Sequence, residues 1–249
     1  MSSEATFWEH LDELRTVLLR SLLVVAIMSV VAFLFKEPLF DVVLAPRSGR
    51  FITYRLMGAD DFTLHLMNTG LTEQFMTHMR VALYAGLLVA SPYVLYQLFR
   101  FVSPGLYSNE RRAGRWIVGS AYLMFIAGTA LNYLLFFPLT VRFLGTYQVS
   151  SDVDNMLTLQ SYTDTLISMS LVMGLVFELP VVCCILGRMG FISGSLMRSY
   201  RRHAVVAILV VAAIITPTTD VFTLTVVSLP IWLLYEASIF LVPDQTKQN

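Results

Sequence analysis

Charge is scarce in this sequence of 249 residues. Only 14% of the residues are Asp, Glu, Lys or Arg, whereas an ordinary soluble domain carries roughly 25%. Apolar residues make up 56% of the chain, and its mean hydropathy is +0.68. A soluble fold of this length needs more charge to cover its surface, so the composition excludes the soluble class. At roughly 20 apolar residues per crossing, the chain can traverse a bilayer several times.

Lysine and cysteine are rarer still, and their positions exclude several kinds of chemistry. Neither Lys36 nor Lys247 follows a glycine, so neither belongs to a GxxxxGK[ST] phosphate-binding loop. Cys183 and Cys184 are neighbours in an apolar run with no further ligand close by, so we interpret them as apolar filler. The HExxH and GxSxG patterns of hydrolytic enzymes are absent. The sequence therefore predicts no enzyme, no metal and no cofactor, and its zero net charge predicts no nucleic-acid partner.

Six charge-poor apolar stretches predict an all-α membrane protein with six transmembrane helices. We place these spans at about 17–35, 81–99, 116–141, 166–186, 204–219 and 221–241. The fifth and sixth spans are predicted to be short, because the charge-free part of the sixth ends at Tyr235. The whole chain, residues 1–249, is expected to form one integral-membrane domain.

The predicted spans are flanked by two distinctive segments. Residues 5–16 are amphipathic, since Phe7, Leu11 and Leu14 recur on one helical face before the first span begins. Residues 36–75 form a long loop that we expect to cap the outer surface of the bundle.

The distribution of basic residues predicts the orientation. Most of the 17 Lys and Arg residues fall in the N-terminal segment, in the loops after the second and fourth spans, and in the C-terminal tail. Basic residues favour the cytoplasmic side of a membrane. Both termini are therefore predicted to be cytoplasmic. The long outer loop is the exception to this pattern, because it carries Lys36, Arg47, Arg50 and Arg55.

Glu178 lies inside the fourth predicted span, two residues before Pro180. A carboxylate at this depth is costly and is a functional hypothesis by default. The alternative interpretation is a neutral glutamate that is hydrogen-bonded to a neighbouring helix, for example through Asn132. Two further acids, Asp220 and Glu236, flank the apolar part of the sixth span. We interpret Glu236 as a marker of the membrane edge and leave the role of Asp220 open.

Several short motifs follow one another along almost the whole chain. They are HLDELR (His10–Arg15), Ala45-Pro46, FVSPGLYSNERR (Phe101–Arg112), FELP (Phe177–Pro180), TPTTD (Thr216–Asp220) and LYE (Leu234–Glu236). In this order they resemble the motifs of the TatC family, the polytopic subunit of the twin-arginine protein translocase. Leu71 and Leu224 depart from the family pattern, which usually has proline at the first position and often has glutamine at the second.

The resemblance implies a function in protein export. Members of the family recognise folded precursor proteins whose signal peptides carry two consecutive arginines. They then assemble single-span partner subunits of the TatA/TatB type, in several copies, and export uses the proton gradient. The resemblance also implies a multi-pass protein of the cell (plasma or inner) membrane. The runner-up hypothesis is a proton-coupled small-molecule transporter that titrates Glu178, although six unequal spans do not pair into the repeats usual for such transporters.

The resemblance also assigns the site residues. Glu13 and Glu110 are implied to bind the signal peptide, with Arg15 and Phe101 as supports, and the planar fork of arginine suits bidentate binding to carboxylates. Membrane-buried polar residues are implied to contact the partner subunits, and the outer-loop proline is implied to be structural. These are Glu178 and Asp220 for the partner contact and Pro46 for the outer loop.

Overall fold

The structure, a computed structural model, describes residues 2–58, 63–102, 111–147, 156–215 and 221–242. Its helices are α1 (Ser2–Leu34), α2 (Lys36–Leu44), α3 (Ile52–Leu56), α4 (Glu73–Val102), α5 (Arg111–Leu131), α6 (Phe137–Thr146), α7 (Leu159–Phe177), α8 (Leu179–Arg188), α9 (Gly194–Ser199), α10 (Arg201–Ile215) and α11 (Val221–Leu241). A 3-10 turn, Ala45–Arg47, follows α2, and a π-helical turn, Asn132–Phe136, joins α5 to α6. Two strands, β1 (Leu66–Met67) and β2 (Leu157–Thr158), pair in parallel.

These helices confirm the predicted all-α membrane fold. Within the described residues, five helical stretches are long and apolar enough to cross a bilayer: Leu11–Leu34, Glu73–Phe101, Ile117–Thr146, Leu159–Arg188 and Val221–Leu241. The fifth predicted span corresponds to α10, whose 15 residues extend about 22 Å, less than the roughly 30 Å of a hydrocarbon core. The sixth is longer than its charge-free part suggested, because α11 continues through Glu236 to Leu241. The amphipathic N-terminal segment and the first span form one continuous helix, α1.

Backbone contacts divide the chain into two compact units. Unit one consists of Met1–Lys36 and His78–Leu123. Within it, α1 and α4 cross closely at Gly86, where an added Cβ would lie 2.6 Å from the Cα of Ser29. Near this crossing, the rings of Phe33 and His78 stack with their centroids 4.0 Å apart. A small residue at position 86 therefore sets how near these two helices approach.

Unit two consists of Glu37–Thr77 and Met124–Asn249. In it, α5 and α7 cross at two glycines. A Cβ on Gly128 would lie 2.7 Å from the ring of Phe177, and a Cβ on Gly174 would lie 2.7 Å from the ring of Phe125. Because neither glycine carries a side chain, the two helix backbones pack directly against each other.

The first stretch of unit two, Glu37–Thr77, is here called the outer segment. Its helices α2 and α3 are short, and hydrogen bonds fix it to the rest of the unit. Glu73, the first residue of α4, accepts hydrogen bonds from the backbone N–H groups of Thr69 (2.9 Å), Gly70 (2.8 Å) and Gln160 (3.2 Å). Its carboxylate therefore joins the start of α4 to the first turn of α7. Thr158 caps the same end of α7, since its hydroxyl accepts from the N–H of Ser161.

Helix α8 ends at a glycine that reverses the chain. Gly190 has a φ of 81°, a left-handed conformation that glycine adopts without strain. The N–H of Phe191 donates to the carbonyl of Leu186, and the N–H of Gly190 donates to that of Gly187. These two bonds satisfy carbonyls that the end of a helix leaves without partners, and they direct the chain into α9.

Candidate functional site

A charged cavity opens on unit one between the N-terminal part of α1 and the C-terminal end of α4. Its volume is about 290 Å³. The residues that line it are Asp12, Glu13, Thr16, Val17, Arg20, Gln97 and Arg100. Gln97 is 4% exposed, and its amide nitrogen donates to the hydroxyl of Tyr93 at 2.7 Å. The cavity thus combines carboxylates, guanidinium groups and an oriented amide, which together suit a charged peptide with several hydrogen-bonding groups.

The structure brings some of the predicted signal-peptide residues to this region. Glu13 is exposed and lines the cavity. Arg15 is exposed on α1 outside the lining, and Phe101 is half-buried next to the cavity residue Arg100. Glu110 lies outside the described residues. The pairing of Glu13 with Glu110 therefore stays a prediction.

The sequence-based assignment did not include the six other lining residues. Asp12, Thr16 and Arg20 recur every four residues along α1, so they share one face with Glu13. The spacing of these polar residues in the sequence indicates a polar helical face, although the prediction for this segment rested on its apolar face. Arg100 carried no motif-level signal, because its place beside α1 depends on how α1 and α4 pack.

Glu178 lies at the junction of α7 and α8, where it ends one helix and precedes the next. Pro180 is near the start of α8, where its missing N–H leaves no hydrogen bond unmade. Asn132 is the example of a neutral partner for Glu178, and in the structure its amide nitrogen donates to the hydroxyl of Ser170 at 2.8 Å. Glu178 is half-buried, and its Oε1 is buried without a hydrogen-bond partner among the described residues.

Pro46 is buried in the 3-10 turn of the outer segment. Its carbonyl accepts a hydrogen bond from the hydroxyl of Tyr54 (3.0 Å), which also lies 2.9 Å from the carbonyl of Pro138. Burial raises the pKa of the Tyr54 phenol well above its usual range, and the positive charge of Arg142 opposes this effect. A protonated phenol therefore connects the outer segment to α6.

Two more tyrosines hold the same outer segment. The hydroxyl of Tyr133 donates to the carbonyl of Val42 at 2.7 Å, and that of Tyr162 donates to the carbonyl of Val43 at 3.0 Å. Both carbonyls belong to the last turn of α2, where a helix leaves its carbonyls without internal partners. The sequence gives no sign of these contacts, because the partner of each hydroxyl is a backbone atom about a hundred residues away.

Of the two acids predicted to flank the sixth span, only Glu236 lies within the described residues. Asp220 lies outside the described residues. Glu236 lies within α11, and its Oε2 is 2.6 Å from an Nη of Arg201 at the start of α10. The neighbouring hydroxyl of Tyr235 donates to the carbonyl of Met197 in α9. Glu236 therefore helps to join the last helices of unit two.

Known proteins resemble this chain in sequence and in structure. The sequence profile of the family described as Sec-independent protein translocase protein (TatC) matches residues 9–230. The TatC protein of Desulforapulum autotrophicum is 35% identical over 95% of this chain and 83% of its own length, and that of Deinococcus radiodurans is 33% identical over 96% and 86%. A crystal structure of the twin-arginine translocase receptor TatC in DDM superposes with a TM-score of 0.80, at 32% identity, over 94% of this chain and 99% of its own.

The family profile spans most of the chain, and relatives above 30% identity cover it almost from end to end. The solved structure shares its helical architecture at the same level of identity. We conclude that this chain is a multi-pass membrane protein of the TatC family, a component of the Sec-independent protein translocase and not an enzyme.

Proposed function

We propose that the chain is the receptor that binds the Arg-Arg signal peptides of folded precursor proteins at the cytoplasmic face. The observation that carries this proposal is the cavity of unit one, which Asp12 and Glu13 line together with Gln97. Two neighbouring arginines need carboxylates that can each accept a forked pair of hydrogen bonds. Glu13 supplies one such carboxylate in this proposal, and Glu110 supplies the other.

The arginines that line the cavity fit an exchange mechanism. Arg20 and Arg100 line the same cavity as the carboxylates, so the site holds charges of both signs. An incoming arginine pair then replaces resident guanidinium groups at the carboxylates. A lysine pair is a weaker competitor, because an ammonium group is a point charge without the planar fork.

Photocrosslinking of a twin-arginine signal peptide to the purified protein tests the site. Each charge-assisted hydrogen bond contributes roughly 1.5–3 kcal/mol, and about 1.4 kcal/mol corresponds to a tenfold change in affinity. Glu13→Gln and Glu110→Gln should therefore each weaken binding by roughly tenfold to a hundredfold. Replacing the two arginines of the peptide by lysines should reproduce the defect.

Glu37→Gln is the matched control, because Glu37 is an exposed acid of the other unit. This variant should crosslink like the unmodified protein. Undiminished binding by the double variant of Glu13 and Glu110 would refute the assignment. If Glu37→Gln weakened binding as much as Glu13→Gln and Glu110→Gln do, the loss would reflect the net charge of the protein rather than a specific site.

The same proposal includes assembly of single-span partner subunits in the cell membrane, with several copies of the chain in the complex and export driven by the proton gradient. Glu178 supports it, because a half-buried acid within a span needs a polar partner. We assign Asp220 to the same partner contact by family resemblance. Glu178→Gln should keep the partner subunits bound during purification, whereas Glu178→Leu should lose them. Equal loss in both variants would instead mean that the charge of Glu178 is required.

In this proposal both termini face the cytoplasm. Labelling of single cysteines introduced at residue 154 and near the C-terminus tests the topology, in a background where Cys183 and Cys184 are replaced. Residue 154 should react only with reagent added outside the cell. Reaction from the cytoplasm alone would overturn the six-span orientation.

A further inference from the structure

Among the buried oxygen atoms of unit two that lack a hydrogen-bond partner within the described residues, three belong to residues near one helix crossing. They are Thr129 Oγ1, Asn132 Oδ1 and Glu178 Oε1. Thr129 is 9% exposed and Asn132 is fully buried. Buried polar groups in proteins nearly always have a partner, and hydrocarbon offers none. These oxygens therefore require a partner that the described part of the polypeptide does not supply.

Thr129 near the end of α5 and Asn132 in the π-helical turn that follows it face α7, and Glu178 comes directly after α7. Asn132 faces α7, because its amide is bonded to Ser170. Thr129, one turn earlier, faces α7 as well, because its hydroxyl lies 3.1 Å from the position that a Cβ on Gly174 would occupy. Glu178 follows Gly174 by four residues, which is about one helical turn or 6 Å along the axis. The positions opposite these residues on α7 and after it, Ser170, Gly174 and Glu178, therefore follow one another at intervals of about one helical turn.

No rotation of the Asn132 side chain removes the need for a partner. An asparagine amide has one end that donates and one that accepts. In one orientation its nitrogen donates to Ser170, as observed, and its oxygen has no partner. In the other orientation the oxygen meets the Ser170 hydroxyl and the nitrogen is left without one. A molecule that both donates and accepts hydrogen bonds satisfies either case.

We propose that the crossing of α5 and α7 binds ordered water, with one molecule bridging Thr129 and Asn132 and a hydrogen-bonded continuation reaching Glu178. Side chains three residues apart on a helix lie about 5–6 Å apart at Cβ, a separation that one water spans with two hydrogen bonds. Water donates to the carbonyl oxygen of Asn132 and to the carboxyl oxygen of Glu178. The hydroxyl of Thr129 accepts from it or donates to it.

The burial of the site excludes other occupants. Asn132 is fully buried, so neither a lipid headgroup nor a side chain of a partner subunit reaches it without separating α5 from α7. The neighbouring surfaces are apolar, since Met169 and Met173 are also fully buried. The bound water therefore hydrates Glu178 from the protein interior, on the side away from any partner subunit. This inference concerns the inner side of Glu178 and does not depend on the proposed receptor function.

X-ray radiolysis of the protein in ¹⁸O-labelled water tests the proposal, because bound water forms hydroxyl radicals that oxidise side chains beside it. Met173 lies at the crossing, where its carbonyl faces Gly128. Met197, which is 6% exposed, is the reference, because it lies in an apolar cluster with Ile239 and Val242. We expect Met173 to take up ¹⁸O several-fold faster than Met197, although it is the more deeply buried of the two.

Thr129→Val is the test variant, because it removes the hydroxyl and keeps the shape. Labelling of Met173 should then fall to the level of Met197. Thr163→Val is the matched control: that hydroxyl is already bonded to the carbonyls of Leu159 and Gln160, so its loss should leave the labelling of Met173 unchanged. Labelling of Met173 as slow as that of Met197 in the unmodified protein would show a dry interface and overturn the proposal, whether or not the variants fold. Labelling that Thr129→Val leaves fast would overturn the proposed position of the water.

Discussion

Replacing Tyr54 by phenylalanine should loosen the outer segment of unit two. The phenol is fully buried and serves the carbonyls of Pro46 and Pro138 at 3.0 and 2.9 Å. Pro138 is near the start of α6, so its carbonyl can also take a helical hydrogen bond. The carbonyl of Pro46 lies in a short 3-10 turn, so it relies on the phenol for a hydrogen bond more than the carbonyl of Pro138 does. A buried acceptor that loses its partner costs roughly 1–3 kcal/mol, and we expect a loss of about 1–2 kcal/mol in the free energy of unfolding.

The substitution is conservative in shape. The aromatic ring keeps its edge contact with Phe51, whose centroid is 6.2 Å away, so the effect isolates the hydroxyl. Equilibrium unfolding in mixed micelles measures the change in the free energy of unfolding of the whole protein. Hydrogen–deuterium exchange of a peptide covering residues 45–57 measures the local opening of the outer segment. Exchange in this peptide should accelerate, while exchange in α11 should change little.

Tyr200→Phe is the matched control for Tyr54→Phe. Tyr200 is 54% exposed, so removal of its hydroxyl should shift the unfolding free energy by less than about 0.5 kcal/mol. Unchanged stability of Tyr54→Phe, together with unchanged exchange over residues 45–57, would refute the conclusion that this phenol holds the outer segment.

Three further predictions follow from the structure. Burial raises the pKa of Tyr54 above its unfolded value of about 10. The contribution of the Tyr54 phenol to the free energy of unfolding is therefore complete below pH 10 and declines as the pH rises further. The difference in unfolding free energy between the unmodified protein and Tyr54→Phe should shrink when it is measured from pH 8 to 11. Gly86→Ala should lower the melting temperature, because the added methyl group meets the backbone of Ser29. Gly119→Ala is the control and should leave the melting temperature nearly unchanged, since a Cβ there meets nothing within 4 Å. Equal melting temperatures for the two variants would contradict this packing. Glu236→Gln should change the unfolding free energy by about 0–1 kcal/mol, because the side chain of its partner Arg201 is 48% exposed; a much larger loss in the same unfolding assay would mean that the pair is shielded from solvent.

The prediction of an all-α membrane fold succeeded because length and hydropathy are properties of contiguous residues. The helix bounds differ from the apolar stretches, since α4 begins at Glu73 and α7 at Leu159, well before the stretches that predicted them. Their first turns carry polar residues that hydropathy leaves out. Glu73 accepts backbone N–H groups there, and Thr158 caps α7, so local hydrogen bonds rather than hydropathy determine where these helices begin.

The site residues stay predictions, and the structure places one of them, Glu13, at a cavity. The motif around Glu13 could identify it because the motif and the residue belong to the same helix. Gln97 and Arg100 join that cavity through the packing of α4 against α1, which no local pattern encodes. The partner of Asn132 is likewise decided by the register of two packed helices, and in the structure its amide nitrogen donates to Ser170.

The sequence alone determined that this is an α-helical membrane protein with a short fifth span, since the hydrophobic effect acts on stretches of neighbouring residues. Its motifs also determined the family. The tertiary structure decided the contacts between residues far apart in the chain: the charged cavity between α1 and α4, the three tyrosines that hold the outer segment, and the buried oxygens near the crossing of α5 and α7. Close approach of α1 to α4 at Gly86, and of α5 to α7 at Gly128 and Gly174, can be recognised only from the structure, because the space beside a glycine matters only when a second helix occupies it.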